Sequence, residues 1–157
     1  MSALTRSLLV VAVLLPAVVA NAQSKPDFSG TWRQIEPQLG PADRHVERIE
    51  LRDSVLKVTR DISGQAGPYG TAVRDDHTYT IGGPTQTSKG EDGRVSSLTV
   101  SWDGPALVFV RTTLEGANVT TERTVWTLSN DRTKLTRARE TTNWQGTSQD
   151  RRVLQRQ

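Results

Sequence analysis

In the second half of the chain, apolar and polar side chains alternate with the two-residue period of a half-buried strand. Leu98, Val100 and Trp102 share one face, and Thr124, Trp126 and Leu128 share another. Turn residues punctuate the runs at Trp102-Asp103-Gly104-Pro105, Glu115-Gly116-Ala117-Asn118, Ser129-Asn130-Asp131-Arg132 and Trp144-Gln145-Gly146-Thr147. Centred on Asp103, Gly116, Asn130 and Gln145, they fall 13, 14 and 15 residues apart. That spacing leaves strands of about nine to eleven residues, the length of a tilted barrel stave. Strands joined by such short loops pair antiparallel with their sequence neighbours. The pattern therefore predicts a meander of about five long strands from Arg94 to the C-terminus. One of these strands is apolar on both faces: Leu107 and Phe109 point one way, Val108 and Val110 the other. It is expected to be covered outside as well as inside.

The first half is less regular. Gly30 to Ile35 reads as the first strand, and Val46–Leu51 with Val55–Arg60 as a hairpin around Arg52-Asp53-Ser54. Thr71–Arg74 and His77–Ile81 are short strand candidates. Gly64–Gly70 and Gly82–Gly93 read as loops, the latter broken by Gly83-Pro84 and Lys89-Gly90-Glu91-Asp92-Gly93. No segment after Ala22 has a helical period. The expectation is an all-β fold: a single antiparallel up-and-down β-barrel of eight to ten strands, closed so that no sheet edge is left bare.

Before this region lies a segment of another kind. Arg6 precedes an apolar run from Leu8 to Val19, and Ala20-Asn21-Ala22 fits the small-x-small cleavage rule. The run is shorter than the roughly 18 apolar residues of a membrane span. Residues 1–22 are therefore expected to be an export signal and 23–157 one soluble domain, periplasmic or extracellular, with no membrane span. Cysteine is absent, so such a domain relies on packing without disulfides.

Charge narrows the partners. Twenty Lys and Arg against seventeen Asp and Glu give a net charge of +3. The basic residues are interleaved with Thr, Asp and Glu rather than gathered into a stripe, which argues against a nucleic-acid partner.

Pro26-Asp27-Phe28-Ser29-Gly30-Thr31-Trp32 opens the expected mature domain. Together with Leu56-Lys57-Val58, the Trp102–Val108 turn-strand and the stretch from Val119 through Glu122-Arg123 to Trp126-Thr127-Leu128-Ser129, it resembles uncharacterised bacterial secreted proteins with a lipocalin-like (calycin-type) β-barrel. The Thr-Asp-Tyr loop motif of true lipocalins is missing, and no C-terminal helix is expected after the last strand. The resemblance implies that Trp32 closes one end of the barrel. Gly30 would then allow close backbone approach, and an arginine would stack on the indole, with Arg123, Arg137 and Arg139 as candidates. Contact of Trp32 with a ligand is the alternative.

Leu56, Val58, Trp102, Phe109 and Trp126 are the candidate lining of a ligand pocket; the competing reading is that they simply fill the core, as side chains of small barrels often do. Metal and catalytic chemistry find little support. The two histidines, His45 and His77, have no zinc-site spacing. Asp76 and His77, as strand neighbours, point to opposite faces. No Gly-x-Ser-x-Gly elbow or phosphate cradle is present. Glu50, Glu122 and Glu140 are candidate inward carboxylates facing Arg123 or Arg139. The function expected is an exported, non-enzymatic binding protein holding a small, partly apolar molecule, without catalytic residues, metal or cofactor. A filled barrel docking through Val108 and Val110 onto an envelope partner is the alternative, and a barrel enzyme a further one.

Overall fold

A computed structural model describes residues 25–37, 40, 43–64 and 72–157. Residues 1–22, where an export signal is expected, and most of the Gly64–Gly70 loop lie outside the described residues. Ten strands follow one another: β1 (Gly30–Glu36), β2 (Arg44–Arg52), β3 (Val55–Ser63), β4 (Val73–Thr80), β5 (Gln86–Lys89), β6 (Val95–Asp103), β7 (Ala106–Glu115), β8 (Asn118–Leu128), β9 (Lys134–Asn143) and β10 (Gly146–Arg156). No helix occurs among the described residues. The fold is an all-β, antiparallel, up-and-down sheet in the order β4-β3-β2-β1-β10-β9-β8-β7-β6-β5. Every sequential pair except β4–β5 is a hairpin, and β1 closes onto β10.

The expected closed cylinder is corrected in one respect. The ladder does not run from β4 to β5, which form the two edges of the sheet. The sheet nevertheless rolls over. The Tyr79 ring on β4 lies edge-on to Phe109 on β7, 5.3 Å between centroids. Glu47 on β2 reaches Arg137 on β9. After β4 the chain is tied across the opening, Ile81 N donating to Ser54 O and Gly82 N to Val100 O, both at 2.7 Å. Neither edge presents an apolar template: β5 is four exposed residues, Gln-Thr-Ser-Lys, and β4 turns Arg74, Asp76 and Thr78 outward. Polar, short edges are how an open sheet avoids pairing with other chains.

Two readings of the middle of the chain are corrected. The two short strands expected on either side of Asp75-Asp76 are one continuous strand, β4. Its pairing to β3 runs without interruption from Val55↔Thr80 to Ile62↔Val73. The polar loop expected from Gly82 to Gly93 contains β5.

Inward positions carry the core. Phe28, Trp32, Ile49, Leu56, Val58, Leu107, Trp126, Leu135 and Leu154 form one buried cluster with Tyr79, Ile81, Val100 and Phe109. Val108, on the other face of β7, is also buried, 6% exposed, and Val110 is half-buried. The two-sided apolar strand is thus covered at Val108, where Ser101 and Val125 flank it on the neighbouring strands.

Candidate functional site

The interior has two unlike ends. At one, the sheet is stoppered. Trp32 is 0% exposed, and its Nε1 donates to Phe28 O at 3.0 Å, satisfying the only polar atom of a large apolar ring. The arginine over this indole is Arg156, its Cζ 4.4 Å from the ring, rather than Arg123, Arg137 or Arg139. Arg156 comes from the end of β10, beside β1, where Trp32↔Arg156 are direct partners. None of the three candidates lies on a strand bordering β1. Arg156 also donates from Nη1 to Ser29 O (2.7 Å) and from Nε to Arg132 O (3.1 Å), tying the entering chain to the β8–β9 turn. Gly30 lets this happen: a Cβ there would sit 2.9 Å from Arg156 Nη1, and its φ of +140° suits glycine alone.

Toward the other end, the same inward positions change character. Along β9, Leu135 gives way to Arg137 and Arg139; along β10, Leu154 gives way to Arg152 and Asp150. On β2 the inward residue after Ile49 is Glu47, then His45; on β3 Val58 is followed by Arg60. These side chains, with Tyr79, Leu98, Phe109 and Trp126 as an aromatic and apolar floor, line a cavity of about 430 Å³. Its size falls in the usual range for small-molecule sites, roughly 300–1,000 Å³.

A buried ion pair anchors the junction of the two halves. Glu47 is 0% exposed. Arg137 donates to it from both terminal nitrogens, Nη1 to Oε1 at 2.6 Å and Nη2 to Oε2. The same guanidinium lies 3.8 Å over the Trp126 ring, so one arginine joins apolar floor and polar wall. His45 Nε2 faces Glu47 Oε1 at 2.8 Å, and His45 Nδ1 faces Gln34 Oε1 at 2.8 Å. Gln34 is oriented by its Nε2, which donates to Pro37 O. Arg60 Nε stands 3.8 Å from Glu47. Burial pushes the Glu47 carboxyl up, but the His45 hydrogen bond and the charges of Arg137 and Arg60 outweigh it and hold the pKa at about 2. Burial also pushes the Tyr79 hydroxyl up, against the opposing pull of Arg60, Arg111 and Arg137, so it stays a neutral phenol.

Further pairs complete the wall. Asp75 contacts His77 Nε2 at 3.1 Å and Arg60 Nη1 at 3.7 Å. Asp150 accepts from Arg139 Nε at 2.9 Å, and Glu122 lies 3.6 Å from Arg139 Nη1. Of the polar atoms here, Arg60 Nε, Asp75 Oδ1 and Arg137 Nε are buried without a hydrogen-bond partner.

The sequence candidates divide as follows. Phe109 and Trp126 line the cavity, their rings 4.6 Å apart. Leu56 and Val58 lie in the packed core below it. Trp102 sits against Phe28 at the stoppered end, 6.0 Å between centroids. Among the candidate carboxylates, Glu122 lines the cavity, whereas Glu50 and Glu140 are exposed and do not. Sequence reasoning passed over Glu47, Arg137 as its partner, and Arg60. Strand alternation marks all three as inward once Ile49, Leu135 and Val58 are taken as core. Asp75 and His77 converge as residues two apart on one face do, and Asp76 points away. No cluster of three metal-ligating side chains occurs among the described residues.

No family model matches the chain, and no curated protein sequence matches it. Solved structures of similar shape exist. Zebrafish ileal bile acid-binding protein, in complex with cholic acid, is 15% identical, with 83% of this chain and 98% of that chain covered and a TM-score of 0.49. Secretory abundant heat soluble protein 4 from Ramazzottius varieornatus is 12% identical, with 82% and 94% covered and a TM-score of 0.49.

Proposed function

We propose that this protein is an exported binding protein whose rolled sheet holds one small amphipathic molecule, without carrying out chemistry on it. The observation that supports this is the cavity itself. It sets a floor of Tyr79, Phe109 and Trp126 against a wall of charged side chains, the composition that orients a partly apolar ligand. The polar share of the lining is larger than a purely apolar ligand would need. Docking through the outer face of β7 has less support, because Val108 is buried. A carboxylate–arginine catalytic pair also has less support. Glu122 stands 3.6 Å from Arg139, outside hydrogen-bond reach, and Glu140 is bonded to Gln149.

Native mass spectrometry of protein recovered from its own source tests this reading, combined with titration of the neutral fluorophore N-phenyl-1-naphthylamine. The expected result is a chain beginning at Gln23 that carries one non-covalent adduct and binds one fluorophore. Thr124→Trp, which fills the cavity from its wall, should abolish that binding while leaving the β spectrum intact. A bare chain mass with no saturable fluorophore binding, or binding indifferent to Thr124→Trp, would overturn it.

A further inference from the structure

We propose that the occupant of this cavity is an anion, an apolar body bearing a carboxylate or other oxyanion group, and that Arg152 and Arg111 hold that group. The inference rests on the cavity being a binding site and deepens that reading.

Five arginines line the cavity: Arg60, Arg111, Arg137, Arg139 and Arg152. Four carboxylates face them: Glu47, Asp75, Glu122 and Asp150. Every one of these acids is engaged by just three of the arginines. Glu47 takes Arg137, Asp75 takes Arg60, and Glu122 and Asp150 share Arg139. Arg111 and Arg152 remain, and among the described residues neither has an ion pair or a side-chain hydrogen bond.

Register sharpens the point. Arg152 and Arg137 are direct partners across β10 and β9, both on the inward face. Like charges opposed in this way destabilise a sheet. The next inward pair on the same two strands, Asp150↔Arg139, is matched and hydrogen-bonded. Both terminal nitrogens of Arg137 are occupied by Glu47, so nothing within the fold answers Arg152. Arg111 is opposed by Glu122 in register, yet that carboxylate turns to Arg139. Both guanidinium groups are exposed along the cavity wall, so water rather than an acid of the fold solvates them. Two unanswered guanidinium groups on the wall of one cavity are suited to an oxyanion, which accepts their forked donors. Position supplies the apolar half of the ligand. Arg152 is level with Trp126 through Arg137, and Arg111 is one pleat beyond Phe109.

A matched pair of probes tests the charge separately from the cavity: N-phenyl-1-naphthylamine and 8-anilinonaphthalene-1-sulfonate share a ring system and differ by a sulfonate. Titrations use the mature chain, Arg152→Gln, Arg111→Gln and, as a control, Arg151→Gln, whose side chain is outward and exposed. The unaltered protein should bind the sulfonate about tenfold or more tighter than the neutral probe, and Arg152→Gln and Arg111→Gln should each remove about tenfold of sulfonate affinity while changing the neutral probe less than about twofold. Arg151→Gln should change neither. Equal affinity for the two probes, variants that weaken both alike, or an Arg151→Gln loss equal to that of Arg152→Gln would overturn the anion assignment and leave the binding cavity standing. Failure of both probes to bind would remove the cavity reading and this one with it.

Discussion

Two single residues separate what holds the stoppered end from what holds the charged one. At Gly30 the backbone sits at φ +140° with Arg156 pressed against the missing side chain. Gly30→Ala must relieve both the dihedral strain and the contact, and is expected to cost about 1–3 kcal/mol in urea unfolding. An unchanged midpoint would mean that Arg156 is not held over Trp32. Glu47 is the opposite case, a charge whose removal is felt because others stay behind. Glu47→Gln leaves Arg137 buried without its carboxylate and is expected to cost about 3 kcal/mol or more at neutral pH. The carboxyl is depressed to about 2 from an ordinary 4.5. Its contribution is therefore present above the ordinary value and disappears as pH falls through about 2. Urea midpoints of the two proteins should differ widely at pH 7 and converge between about pH 4.5 and about 2. A gap independent of pH would show that the ion pair is not what Glu47 contributes.

At the scale of elements, strands whose inward positions are apolar could be read directly, and the others could not. The β7–β10 meander announces itself because Leu107, Phe109, Trp126, Leu128 and Leu135 mark the inward face and turn residues mark the ends. β5 gives no such sign: none of its four side chains is apolar and all are exposed, so its hydrogen bonds to β6 are set by the neighbouring strand. β4 hid behind Asp75-Asp76, which looks like a break. In fact Asp75 is an inward residue with Arg60 and His77 as partners. The site divides in the same way. Its floor, Phe109 and Trp126, follows from alternation, while its wall depends on pairings such as Arg137 with Glu47, 90 residues apart. Register across four strands, β2-β1-β10-β9, is needed to see that contact. Arg156 was missed for a related reason: its place over Trp32 comes from β10 closing against β1, and no local pattern carries that information.

The whole molecule is therefore a sheet of even hydrogen bonding with an uneven interior, and its stability should be uneven to match. β10 shows the division within one strand: Gly146–Arg152 are exposed, while Val153 and Leu154 are buried. The β9–β10 tip carries Trp144 at 75% exposure. Backbone ladders supported by few apolar contacts open locally at lower free energy than those over a core. Amide exchange along β8, β9 and β10 should accordingly be slowest beside Trp126, Leu135 and Leu154, and quicken toward Thr120, Thr142 and Thr147, although every one of these residues sits in a paired strand. A ligand that fills the cavity adds contacts only to the charged half. Saturating amounts of a bound probe should slow exchange there and leave the Trp32 end unchanged. Protection that is uniform along each strand, or that rises first around Trp32, would mean that the interior is one core and that the cavity is not where the molecule yields.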